Sequence, residues 1–188
     1  MFGKKKGEFG YIEAGKKKMI LLTALMLIMV LLLYFVPLWY FGTNKNLFTI
    51  LAALGCLPLG KSAVSMVMFL RARGCSPQVR SAVLAHAGEV SGAYDLYMTS
   101  YSKNFQLSHL AAAGKNVCAF TETASCDAQA GEKHILKMME DNGFHGYTVK
   151  IFYNLDKYVK RLDELNALQG ESRKDFSALF RLLYSISL

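Results

Sequence analysis

Residues 19–41, MILLTALMLIMVLLLYFVPLWYF, and residues 48–70, FTILAALGCLPLGKSAVSMVMFL, are separated only by GTNKNL at 42–47. The first stretch has 23 residues and no charge. A helix needs roughly 20 apolar residues to cross ~30 Å of hydrocarbon, so the pair reads as a transmembrane hairpin. Tyr34, Phe35, Trp39, Tyr40 and Phe41 gather at the far end of the first stretch, where amphipathic rings favour the headgroup level. Pro37 falls near that end, where a missing backbone donor matters little. A cleaved leader would have a shorter apolar core and a small-x-small site after it.

Charge orients the hairpin. Lys4, Lys5, Lys6, Lys16, Lys17 and Lys18 precede it, Arg71 and Arg73 follow it, and the connecting loop holds only Lys45. The positive-inside rule predicts both termini in the cytoplasm and the loop outside. The six N-terminal lysines are candidate contacts for anionic lipid headgroups, at about 1 kcal/mol each. Residues 1–73 carry the whole net charge of +8, and residues 74–188 are neutral. A neutral globular part lacks the basic stripe that nucleic-acid binding requires, so no nucleic-acid partner is expected.

The second stretch contains Lys61 near its middle, close to Gly55, Pro58 and Gly60. A central lysine costs about 2.5–3.5 kcal/mol on insertion scales. Lys61 therefore faces the other helix or another subunit, or the segment breaks near Pro58–Gly60. Gly55, Gly60, Lys61 and Ser62 also match the G-x-x-x-x-G-K-[ST] string of a phosphate-binding loop. That loop needs backbone N–H groups around phosphates, a lysine on the terminal oxygens and a hydroxyl on Mg²⁺, all facing water. Its variable positions here are Cys, Leu, Pro and Leu. The match is read as a kinked membrane helix, and no cofactor is expected.

Residues 74–188 suffice for one compact domain. Ser76-Pro77 opens a helix with Val79, Val83, Ala87 and Val90 on one face, closed by Ser91-Gly92. Tyr94 to Thr99 alternates as a half-buried strand. Ser102-Lys-Asn104 is a turn, Phe105–Leu110 a second strand and Val117–Phe120 a third. Asp127 caps a helix carrying Ala128, Ile135 and Met139, which stops at Gly143. Tyr147–Tyr153 is a fourth strand. Asn154 caps a helix with a stripe of Leu155, Tyr158, Val159, Leu162, Leu165 and Leu168, ended by Gly170. Ser172-x-x-Asp175 opens a last helix with Phe176, Leu179, Phe180, Leu183 and Ile186. The predicted fold is an α-helical transmembrane hairpin followed by a small mixed α/β domain, α-β-β-β-α-β-α-α. Its parts are a basic terminus at 1–18, the hairpin at 19–73 and the domain at 74–188.

The order α-β-β-β-α-β over residues 77–153 resembles the core of restriction-endonuclease-like nucleases. That resemblance implies an Asp closing one strand and Glu-x-Lys on the next, holding Mg²⁺. Glu122-Thr123-Ala124 stands at the second position without its lysine, and Asp95 opens a strand rather than closing one. The stretch MFGKKKGEFGYIEAGKKK at 1–18, with the hairpin, is similar to small two-helix membrane proteins of Gram-positive bacteria, a likeness that implies no activity.

The remaining chemistry is sparse. His86 and Glu89, three apart, read as a helix-surface pair that could do acid–base or metal work. His134 beside Glu132 and Lys133 reads as a solvated face, and His109 as a partly buried, hydrogen-bonded histidine. Cys56, Cys75, Cys118 and Cys126 lack zinc-ligand spacing, and no metal site is expected. Two function classes follow. One is a membrane-anchored cytoplasmic interaction or regulatory module without catalysis, bound to a homo-oligomeric or membrane-protein partner. The other is a membrane-tethered hydrolase, nuclease-like, with Glu122 and Asp95 as its acids.

Overall fold

The structure, a computed structural model, describes residues 3–100, 103–169 and 176–188. Ser102 of the predicted turn, the Gly170 stop and the Ser172–Asp175 cap lie outside the described residues, as does the side chain of Leu168. The chain forms two compact units. One is Glu13–Arg71; the other combines Gly3–Ile12 with Ala72–Leu188.

In the first unit, α1 spans Tyr11–Phe41 and α2 spans Leu47–Arg71. Both are long and apolar enough to cross a membrane, and their apolar windows are only 11% buried, unlike the core helices of a soluble fold. Helix α1 starts eight residues before the expected Met19. Lysine is a good helix former, so Lys16–Lys18 end the apolar run without ending the helix. The helices approach where side chains are smallest. Phe69 packs over Gly15, a Cβ at Gly55 would lie 3.0 Å from Val30, and Thr23 and Ser62 share a buried 2.8 Å hydrogen bond. The Asn46 Oδ1 accepts the Thr49 amide and starts α2.

Helix α2 runs unbroken through Gly55–Ser62, with Pro58 inside it. Phe48–Leu54, strand-like in a phosphate-loop reading, is helical. Lys61 is exposed, whereas the next residue, Ser62, is buried toward Thr23. Two readings of Lys61, a broken segment and a contact with α1, are therefore corrected.

The second unit is built on a four-stranded sheet in the order β1-β2-β3-β4: Ser91–Thr99, Asn104–Ala113, Asn116–Phe120 and Thr148–Phe152. The first three strands form an antiparallel meander, and β4 runs parallel to β3 after the crossover helix α4, Ala128–Asp141. Neighbouring residues of β2 enter different clusters. Leu110 and Ala112 pack with α4 and with α6 (Ser177–Ser185), while Ala111 and Ala113 pack with α3 (Pro77–His86) and α5 (Leu155–Gln169). Successive strand residues point to opposite faces, so the sheet is covered on both sides. Tyr158, Leu162 and Leu165 of α5 and Ile135 and Met139 of α4 are fully buried, each stabilising by about 1.5–3 kcal/mol.

The helix predicted to run to Ser91-Gly92 ends at His86, with Ala87 as its C-cap and Gly88 at φ +50°; Ser91 already belongs to β1. Strand β1 is not half-buried: Leu96, Tyr97 and Met98 are buried in succession. Two things cause this. Both faces are covered, and the alternation slips at Asp95. Ala93 shares one cluster with Leu96 and Met98, so Asp95 shifts the facing by one residue. Asp95 has φ +57°, a conformation that few residues other than glycine adopt.

Candidate functional site

Asp95 sits where β1 and β2 lose their regular pleat. Tyr94 pairs with His109 and Leu96 with Leu107, while Asp95 stays out of the ladder. Asp95 is 3% exposed. Oδ1 accepts the Cys75 amide at 2.6 Å; Oδ2 accepts the Gly10 amide at 2.7 Å and the Ile12 amide at 3.4 Å. One side chain thus holds the chain just before the hairpin and just after it. Burial raises the Asp95 carboxyl above the ordinary range, and the amides of Cys75, Ile12, Gly10 and Tyr11 oppose that shift. The amides at Gly10–Ile12 belong to the first turn of α1, whose N–H groups have no partner within the helix, so a carboxylate there acts as a cap supplied by a distant strand.

Two further side chains fasten the segment after α2. The Gln106 amide of β2 donates to the Arg73 carbonyl at 2.7 Å and accepts the Arg73 amide at 3.2 Å. The Glu122 Oε2 accepts the Ser76 amide at 3.0 Å and the Ser108 hydroxyl at 2.9 Å. Asp95, Gln106 and Glu122 come from β1, β2 and the segment just after β3, and their partners Arg73, Cys75 and Ser76 are almost consecutive. On the other side, the Gly7 carbonyl accepts the Tyr94 amide at 2.8 Å, and the Lys6 Nζ donates to the Tyr184 and Ser187 carbonyls at 3.0 and 2.9 Å. Phe9 packs edge-on to Tyr94 beneath Arg80, 4.5 Å from its ring. Ile12, Ala72 and Tyr97 form a small buried cluster of their own. Residues 3–12 are part of the domain, which charge and hydropathy did not reveal.

The structure therefore brings Asp95 and Glu122 to one place, but as acceptors of backbone N–H groups. A cavity of about 350 Å³ lined by Thr121, Glu122, Ala124 and Tyr153 lies beside Glu122 and offers it no second acid and no base. Among the described residues no group of three His, Cys, Asp or Glu side chains could hold a metal ion. Cys75, between the two carboxylates, is buried, and burial followed by the charges of Glu122 and Asp95 pushes its thiol up to about 12. Burial likewise raises the thiols of Cys118 and Cys126. None of the three is a ready nucleophile.

The histidines divide between face and core. His86 closes α3, so it does not share a helical turn with Glu89; its Nδ1 lies 3.0 Å from Asp163 of α5 on an exposed face. His109 is 2% exposed, its Nδ1 2.6 Å from the Tyr158 hydroxyl, and burial lowers it to about 4. A Cβ at Gly92 would lie 2.6 Å from His109 Nε2, so glycine makes room for the ring. His134 is half-buried rather than solvated. Its ring lies 5.7 Å from that of Phe105, and its Nε2 is buried with no hydrogen-bond partner among the described residues. Of the headgroup candidates, Lys4 donates to the Phe9 carbonyl and Lys16 pairs with Glu13 at 2.6 Å; with Lys6, three of the six have partners within the chain. Lys5, Lys17 and Lys18 are exposed. Compared with known proteins, this chain matches no family model, no curated protein and no solved structure.

Proposed function

We propose that this protein is a membrane-anchored interaction or regulatory module without catalytic activity. The hairpin spans the bilayer with the 42–47 loop outside, and the α/β domain and both termini lie on the cytoplasmic face. Lys5, Lys17, Lys18, Arg71 and Arg73 meet the anionic headgroups there. One observation carries the reading. Asp95 is buried and committed to the amides of Gly10, Ile12 and Cys75, while Glu122, exposed at the cavity it lines, gives its Oε2 to the Ser76 amide and the Ser108 hydroxyl and meets no second acid or base among that cavity's lining residues. Asp95, Gln106 and Glu122 grip the two chain segments that flank the hairpin. Hydrolysis needs a second acid or base beside such a carboxylate, and the cavity that Glu122 lines offers none.

The test is the stoichiometry of the full chain extracted from its native membrane in mild detergent and fixed by cross-linking. A homo-oligomer or a stoichiometric complex with a membrane protein supports the module; a lone monomer contradicts it. Hydrolysis of DNA or RNA with Mg²⁺ or Mn²⁺ that disappears in Glu122→Ala would replace it with a nuclease.

A further inference from the structure

Lys61 is a cation on the bare surface of α2, with no acid paired to it among the described residues. It stands ten residues from Arg71, at the end of the helix. At 1.5 Å per residue that is about 15 Å, half the thickness of a ~30 Å hydrocarbon core. Snorkelling brings only the tip of a four-carbon stem toward water, which leaves most of that depth uncovered. The side chain is turned away from α1, because Ser62 occupies the buried face with Thr23. Between Met19 and Leu70 the sequence contains no Asp, Glu or His. A second copy of this chain therefore has no acid to offer at that depth.

Beside it, Gly60 is exposed, and a Cβ built there would have no atom within 4 Å. Ala53, two turns earlier, is also exposed on that side of α2. Small residues let a neighbouring backbone come close. The face thus combines an uncompensated charge with room for another helix.

We propose that the Lys61 face of α2 docks a transmembrane helix of a different protein carrying an Asp or Glu at mid-bilayer depth. The inference rests on the hairpin spanning the membrane, as argued above. An ion pair in hydrocarbon offsets the burial of both charges, whereas either alone is costly. The partner is recognised by charge and by close backbone approach at Gly60.

The test uses the full chain in phosphatidylcholine vesicles and two synthetic leucine-rich helices of about 23 residues with no tryptophan. One carries a central Glu, its twin a central Gln, and each bears an acceptor dye. Trp39, the single tryptophan of the chain, is the energy donor. The Glu helix should associate about tenfold more tightly than the Gln helix. Lys61→Met should abolish the difference and Lys61→Arg should keep it. Equal association of the two helices, or a preference for Glu that survives Lys61→Met, overturns the pairing. Release of the wild-type chain from the vesicles by alkaline carbonate overturns the spanning hairpin as well, so the two failures are distinct.

Discussion

Replacing Asp95 by Ala removes the side-chain acceptor that Gly10, Ile12 and Cys75 share. Two of those contacts are short and charge-assisted, the third is long, and the site is buried. An orphaned buried donor costs about 1–3 kcal/mol, and relief from burying a carboxylate returns part of the sum, so the net loss is about 3 kcal/mol. Alanine also inherits φ +57°, which Gly tolerates; Asp95→Gly should recover about 1 kcal/mol of that loss. Asp95→Asn keeps one oxygen but turns an NH₂ toward one set of amides, so it should fall between wild type and Asp95→Ala. Hydrogen exchange on the full chain in detergent, read by mass spectrometry over residues 7–14 and 72–78, measures the effect. A loss of 3 kcal/mol speeds exchange on the order of 100-fold where local opening limits it. Both segments should lose protection together in Asp95→Ala. If only one does, or neither, the carboxylate is not the shared fastening.

Three other outcomes follow from the same geometry. His109 stays neutral in the fold, lowered to about 4 against about 6.5 when unfolded, so its contribution is complete above pH 6.5 and is lost as pH falls toward 4. Acidification from pH 8 to 5 should cost about 2 kcal/mol through this residue, and the His109→Gln minus wild-type difference in denaturation free energy should trace that curve; a flat difference would refute it. Cysteines at positions 23 and 62, replacing the hydrogen-bonded Thr23 and Ser62, should form a disulfide readily on oxidation, and adding Gly15→Leu, whose side chain would collide with Phe69, should suppress it. Glu122→Ala should raise exchange at Ser76 while leaving the Gly10–Ile12 amides unchanged, because Glu122 grips only the exit segment.

The two apolar helices and the order of strands and helices were legible because both are local. A run of 23 uncharged residues, a cap such as Asp127 and a stripe at helical spacing each state their element within a dozen residues. The buried acceptor role of Asp95 was not legible. Its partners lie 20 and 83–85 positions away, and within β1 it looks like an ordinary polar residue on an outward face. The same slip made β1 look half-buried. The start of α1 was misplaced because hydropathy marks the length in lipid, whereas lysines continue a helix beyond it. Residues 3–12 looked like a basic tail because three lysines outweigh Phe9 and Ile12 in composition, yet Phe9 and Ile12 pack against the domain and Lys6 closes on carbonyls near the chain's other end. For Lys61, the sequence showed the anomaly and the structure gave its direction.

The proposed spanning hairpin puts the α/β domain and both termini on one side of the bilayer and the 42–47 loop on the other. The direct measurement is labelling of Asn44→Cys and Ser125→Cys, two exposed positions, with a membrane-impermeant maleimide in sealed vesicles of known orientation. Position 44 should react only from the external face and position 125 only from the cytoplasmic face. Reaction of both from one face, or the reverse assignment, would contradict the account.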